Sequence, residues 1–230
     1  MCNVNCFKWG VKNLTKEEVF KKRVIEVGSY DVNGTLRYII ELMEPYQYVG
    51  SDIIEGPGVD LVCPAENLVE TFGKENFDLV ISTCALEHMK DWQKAISNIK
   101  NVCKPNGIII IIVPSNWPFH EYPYDFWRYE KEDIKNIFSD CDILLMEEDP
   151  RPLNIFSKIT PALVYAKMRK PESFFENNLS DYQLYSVISN KKASQISDED
   201  FHTLHFRWLI LKSKVNEILV DLVNIVFRKF

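Results

Sequence analysis

Arg23-Val24-Ile25-Glu26-Val27-Gly28-Ser29-Tyr30-Asp31-Val32-Asn33-Gly34 is the stretch that decides the reading of this chain. Apolar, β-favouring residues run into an acid, then a glycine, then a polar turn. A helix-like segment follows, Thr35 to Leu42. The pattern reads as a buried strand, a tight turn, and a helix whose N-terminus opens onto a ligand crevice. Gly28 suits the turn because it adopts positive φ without penalty and lets a ligand approach the backbone. Asn33 and Gly34 shape the entry to the helix. Tyr30 and Val32 stand where further glycines would cradle a pyrophosphate, so the dinucleotide pattern is absent. A nicotinamide-dependent oxidoreductase, the competing enzyme class, loses its main support there.

A second strand-like run, Tyr46 to Asp52, ends in an acid 24 residues beyond Gly28. In α/β nucleotide folds an acid about 20 residues past the first glycine binds ribose hydroxyls. A carboxylate suits that task because it accepts from both hydroxyls at once. Asp52 is therefore expected at a strand tip facing a ribose.

Five segments then fall in a recognisable order: Glu26 to Gly34, Tyr48 to Asp52, Gly58 to Glu66, Phe77 to His88, and Pro105 to Pro114. Together they resemble a class I S-adenosylmethionine-dependent methyltransferase, of the small stand-alone, type 11-like kind with a Pro-Tyr-Asp-Phe-Trp-Arg-Tyr segment after the fifth strand. The resemblance covers about residues 20–170. It implies a Rossmann-like, doubly wound α/β fold with a mostly parallel seven-stranded sheet and an antiparallel last strand. It also implies S-adenosyl-L-methionine as cofactor, held by Glu26, Gly28, Ser29, Asp52, Ala65, Glu66, Thr83, Cys84 and Leu86. The family commonly carries an acid where this chain has Pro64. Proline cannot accept from the adenine amine, so that contact is expected from the Ala65 amide and Glu66.

The remaining strands read directly. Asp78 to Thr83 and Ile108 to Val113 are near-continuous apolar runs, as expected of central parallel strands buried on both faces. Val59 to Cys63, Asp142 to Glu147 and Ala162 to Met168 are the other candidates. Between Asp91 and Val102, apolar residues at 92, 95, 96, 99 and 102 share one helical face. Helices are also expected over Asn67 to Phe72 and Glu130 to Phe138. Lys104-Pro105-Asn106-Gly107 reads as a turn, and Thr15 as the N-cap of a short helix in the leading arm.

The segment Pro114 to Tyr129 is the most unusual. It crowds aromatics, prolines, His120, Asp125 and Arg128 into a loop beside the sheet edge where an acceptor must enter. Loops on a rigid scaffold are where function concentrates. Phe126 and Trp127 are expected to cover strands. Tyr122, Tyr124 and Arg128 are the candidate acceptor contacts, the last because guanidinium binds carboxylate or phosphate bidentately. His120 and His88 are the candidate catalytic bases, since imidazole titrates near neutrality.

Composition sets the outer bounds. The 230 residues allow one α/β domain plus an appendage, here divided as arm or lid 1–22, methyltransferase domain 23–171 and helical extension 172–230. A net charge of −6 disfavours non-specific nucleic-acid binding, which needs a basic surface. Six cysteines without a C-x-x-C pair fit a reducing cytoplasm and no metal site. No signal-peptide core or spanning apolar run is evident. Beyond Ser197 a capping-box-like start leads into a stripe of Leu211, Val215, Ile218, Leu219, Leu222, Ile225 and Val226. Such a stripe serves self-packing or a homodimer; its mixed charge argues against more than peripheral membrane contact. The expected activity is methyl transfer to oxygen, with nitrogen second, of a small molecule or glycan precursor. A non-catalytic cofactor-binding scaffold acting with a partner is the alternative.

Overall fold

Alternating faces of isoleucine and valine build this domain. The structure is a computed structural model, and it describes residues 4–32, 34–117, 119–120, 124–149 and 162–186, with single residues 195, 199 and 211. The elements begin with α1 (Val4–Asn13) and α2 (Lys16–Val19). The first strand and its successors follow as β1 (Arg23–Val27), α3 (Arg37–Glu41), β2 (Gln47–Asp52), β3 (Leu61–Val62), α4 (Leu68–Phe72) and β4 (Phe77–Thr83). Then come α5 (Trp92–Val102), β5 (Cys103–Asn116), β6 (Trp127–Arg128), α6 (Lys131–Ile137), β7 (Asp142–Glu148), β8 (Ala162–Arg169) and β9 (Tyr185–Ser186).

Seven strands form one sheet in the order β3-β2-β1-β4-β5-β8-β7. The pairs from β3 through β5 are parallel, and β8 inserts antiparallel between β5 and β7. This is the Rossmann-like arrangement expected. The strand order reverses between β1 and β4, which opens a crevice outside their C-terminal ends.

In β5 the side chains of Ile109, Ile111 and Val113 enter one core, with Trp92, Ile96 and Ile99 of α5. Ile108, Ile110 and Ile112 enter the other, with Leu36 and Ile40 beside α3 and Cys6 and Trp9 of α1. Strands flanked on both faces explain the unbroken apolar runs.

Three features differ from the sequence expectation. β5 starts five residues early: the anticipated turn at 104–107 is absorbed into a register shift between Phe77↔Cys103 and Leu79↔Ile108. Asn106 takes φ 61° there, a conformation that asparagine tolerates better than most residues. β3 shrinks to two residues because its ladder with β2 covers only Ser51↔Leu61 and Asp52↔Val62. A second small sheet, β6 with β9, had no clear signal in two-residue strands.

The leading arm packs down. Trp9 is buried, stacks on Tyr165 with centroids 5.6 Å apart, and its indole N–H donates to Glu147 at 2.7 Å. The expected helix around Thr15 is present as α2, with the Thr15 N–H donating to the Glu18 carboxylate at 3.0 Å. Among the described residues no helix is long and apolar enough to cross a membrane. Asn33, Tyr122, residues 150–154 of the turn-rich link expected over 149–154, and nearly all of the C-terminal stripe lie outside the described residues.

Candidate active site

The turn after β1 is built by close approach. Gly28 has φ 77°, and a Cβ placed on it would fall 2.2 Å from the Ala85 Cβ, so only glycine fits between the β1 and β4 loops. The Gly28 and Ser29 amides both donate to the Ser51 carbonyl, at 2.8 and 3.1 Å. That ties the turn to the tip of β2, where Asp52 follows.

Asp52 accepts the Tyr30 amide at 3.0 Å through one oxygen and the Ile53 amide at 2.7 Å through the other. The carboxylate is half-buried at the crevice rim, oriented by two backbone donors and with acceptor capacity left over. Glu26 sits deeper. Its carboxylate takes hydroxyl donors from Tyr48 and from Thr35 (2.8 Å), with Thr83 at 3.5 Å. Burial raises its pKa and outweighs those three hydroxyls. Glu26 thus braces β1, β2 and β4 from beneath the crevice.

Between these residues lies a cavity of about 410 Å³. Gly28, Asp52, Ala65, Glu66 and Cys84 line it, as the sequence suggested. Glu26, Ser29, Thr83 and Leu86 do not; all four are buried in the frame around it. The wall also includes Tyr30, Ile53, Ile54, Met89 and Lys90, which the sequence reading did not single out. The apolar pair Ile53-Ile54 directly after the acidic strand tip was the available signal for an apolar cavity wall there.

His88, in a 3₁₀ turn covering Leu86–His88, also lines the cavity. That turn is clamped by the aromatic loop through four contacts. The Phe126 amide donates to the Glu87 carbonyl (2.8 Å) and the Trp127 indole to the Met89 carbonyl (2.9 Å). The Tyr129 hydroxyl donates to the Leu86 carbonyl (3.2 Å), and His88 Nδ1 meets the Tyr124 carbonyl (2.7 Å). Phe126 and Trp127 are buried, as anticipated.

A carbonyl only accepts, so His88 Nδ1 carries the proton and the neutral ring presents its lone pair at Nε2. Burial lowers the His88 pKa despite the nearby Glu87. The His120 ring meets His88 edge to face at 5.0 Å, with its Nδ1 3.2 Å from the Asp125 carboxylate. Burial opposes its charged form too, but Asp125 and Glu87 prevail and its pKa is raised. The two imidazoles the sequence singled out are thus brought together and tuned in opposite directions.

Arg128 is placed otherwise than the sequence suggested. Its guanidinium grips Asp125 with Nη1–Oδ1 2.5 Å and Nη2–Oδ2 2.6 Å, and donates to the Trp117 and Trp127 carbonyls. It is 5% exposed and faces inward, so it serves to hold Asp125 behind His120. Tyr124 is exposed and does not line the cavity; its ring lies 6.0 Å from Phe126.

Comparison with known proteins agrees with this geometry. The family model described as "Methyltransferase domain" matches residues 36–111. The matched stretch is similar to a methyltransferase domain, and the sheet around it has the class I S-adenosylmethionine-dependent methyltransferase fold. No curated relative matches in sequence. Among solved structures, a protein of Listeria monocytogenes described as an S-adenosylmethionine dependent methyltransferase shares 14% identity, covering 73% of this chain and all of that one, with TM-score 0.52. The N-methyltransferase NodS of Bradyrhizobium japonicum WM9 shares 12%, covering 74% and 100%, with TM-score 0.53. The 1,6-didemethyltoxoflavin-N1-methyltransferase of Burkholderia thailandensis, solved with S-adenosylhomocysteine, shares 15%, covering 66% and 72%, with TM-score 0.50. At such identities these structures bear on the fold alone.

The family cofactor is S-adenosylmethionine, and the residues present fit it. A positive-φ glycine with no room for a Cβ opens the crevice, an oriented carboxylate stands at the β2 tip, and an apolar pair follows it.

Proposed function

We propose that this protein transfers the methyl group of S-adenosylmethionine to an oxygen or nitrogen of a small molecule or glycan precursor that enters beside His88. The observation carrying this reading is the continuity of one cavity from Gly28 and Asp52 to His88. Cofactor and acceptor then meet in a single crevice. Asp52 receives the ribose hydroxyls, Ala65 and Glu66 the adenine edge, and Gly28 and Cys84 flank the amino-acid portion. When bound, the cofactor supplies an electrophilic methyl group on a positively charged sulfur.

What the chain must contribute is placement and activation. Holding the nucleophile in line contributes up to about 7–11 kcal/mol at the effective-molarity limit. Removing its proton adds about 10²–10⁴-fold. His88, on the cavity wall, with His120 beside it, is the candidate base in this reading, and Tyr124, whose carbonyl meets His88 Nδ1, the candidate acceptor contact. Arg128 acts through Asp125 and His120 and is a positioning residue. Fold alone does not fix the acceptor; the cavity, mostly apolar with few charges, favours a small uncharged face over a polymer.

Titration of the purified protein with S-adenosylmethionine, S-adenosylhomocysteine and NAD tests the reading. Micromolar binding of both sulfur ligands, lost in Asp52→Ala, supports it, and substrate-dependent release of S-adenosylhomocysteine would establish turnover. Binding of NAD alone, or of none of the three, would overturn it.

A further inference from the structure

Beneath the acceptor end of the cavity, three potential ligands converge. Glu87, His88 and His120 each place a ligating atom within 4.8 Å of the others. His88 Nε2 lies 3.8 Å, and His120 Nε2 3.9 Å, from Glu87 Oε1. Glu87 is 1% exposed, yet its Oε2 has no hydrogen-bond partner among the described residues; nor has the buried His88 Nε2. A buried carboxylate oxygen left unsatisfied is costly unless a cation or donor completes it.

The rings are already oriented for ligation. His88 Nδ1 is committed to the Tyr124 carbonyl and His120 Nδ1 to Asp125, which leaves each Nε2 on the Glu87 side of its ring. A ligating histidine typically holds its other ring nitrogen against a carbonyl or carboxylate in this way, which fixes the tautomer and raises ligand basicity. Asp125 is in turn locked by Arg128. We propose that Glu87, His88 and His120 bind a divalent first-row transition-metal cation of the zinc class, with a fourth position open toward the cavity.

Two imidazoles and one carboxylate suit such a cation and fall short of the oxygen-rich shell that calcium or magnesium requires. Tetrahedral bonds of about 2.0–2.1 Å set ligands about 3.3–3.5 Å apart, so the two Glu87–histidine separations of 3.8 and 3.9 Å each shorten by roughly half an ångström on binding. The open position faces the side from which the acceptor comes, because His88 also lines the cavity. This inference rests on the methyltransferase reading for its purpose: an acceptor hydroxyl on the cation becomes more acidic, as metal-bound water does. Its proton then leaves to solvent as the oxygen–carbon bond forms and the carbon–sulfur bond breaks with its electron pair on sulfur. It departs from the expectation of no metal site, which considered cysteine spacing and not histidines 32 residues apart in sequence.

The test uses the full chain, freed of metal by chelation and titrated with Co²⁺ and with Zn²⁺, each alone, by calorimetry and visible absorption. The expected result is one equivalent bound, with Co²⁺ showing the visible bands of a low-symmetry four- or five-coordinate site. Glu87→Gln and His120→Gln should each weaken Co²⁺ binding at least a hundredfold while S-adenosylhomocysteine affinity is retained, which also reports that the variants fold. Absence of stoichiometric binding, or binding unchanged in both variants, would overturn the proposal and leave an ordinary carboxylate–imidazole cluster. S-Adenosylhomocysteine is titrated on the same samples, so failure of the cofactor reading is seen separately from failure of the metal site.

Discussion

Asp125 and Arg128 form a two-bonded ion pair that is almost wholly buried, 0% and 5% exposed, three residues apart in an irregular loop. Burial alone would raise the Asp125 carboxyl, but the hydrogen bonds from Arg128 and His120 outweigh it and pull the pKa down to about 2. The same carboxylate receives the His120 amide at 3.0 Å. The aromatic loop therefore owes its shape to one polar knot rather than to its rings alone.

Arg128→Ala leaves that carboxylate buried and uncompensated. Breaking one side of a buried pair costs about 3–5 kcal/mol. Denaturant unfolding should show a loss of that order, and the double variant Asp125→Leu/Arg128→Met should lose clearly less than the two single changes summed. Stability near wild type in Arg128→Ala, with acceptor binding alone impaired, would restore the role suggested by sequence.

Gly28→Ala should abolish the close approach of the two crevice loops. A residue with a Cβ at φ 77° costs about 1–2 kcal/mol before any contact is counted. The added methyl would also overlap Ala85. Calorimetric titration should show S-adenosylhomocysteine affinity falling at least tenfold. Unchanged affinity would mean the β4 loop yields without closing the crevice.

Glu26 makes a pH-dependent contribution whose sign is fixed by burial. Its folded pKa is raised, so the native state holds the proton more tightly than the unfolded chain does. For an acid shifted upward, folding stability falls as pH rises from the unfolded carboxyl value, about 4.3, through the folded pKa. Glu26→Gln removes the titration. The stability difference between wild type and variant should therefore move against wild type as pH rises through that window. A difference that is flat with pH would mean the hydroxyls of Tyr48, Thr35 and Thr83 fully offset the desolvation.

Much of this arrangement was legible in the chain. The alternation of Val24 and Ile25, and the apolar runs at 78–83 and 108–113, specify central strands because only two-sided burial tolerates them. The positions of Gly28 at the turn and Asp52 at the strand tip, both on the cavity wall, were legible because spacing encodes backbone geometry and strand ends. The inward turn of Arg128 was not, since a guanidinium looks alike in sequence whether it meets a ligand or an aspartate three residues away. Nor was the meeting of His88 and His120, which depends on how the 3₁₀ turn after β4 docks on the aromatic loop. Pro105-Asn106-Gly107 carries strong turn signals, yet Asn106 and Gly107 bond to Lys170 just past β8, and the segment becomes the strand's irregular start.

Lys100 sits at the junction of α5, α6 and the segment that follows β8. Its ammonium is fully buried and donates to Asp140 (2.7 Å), the Ile137 carbonyl (2.7 Å) and the Asn177 side chain (2.9 Å). Asn177 in turn returns its amide N–H to Asp140 at 3.1 Å. One cation thus fastens residues far apart in sequence, and all three of its protons are used. Lys100→Ala should cost about 3–5 kcal/mol, because Asp140 is left charged and buried. Lys100→Met with Asp140→Leu should recover part of that loss. Hydrogen exchange would show where the fastening matters: in Lys100→Ala, amides around 174–182 should lose protection more than those of β1 or β4. Uniform loss across the sheet would mean that the segment is held by its apolar contacts, with Phe174, Leu179 and Tyr182 packed on the core.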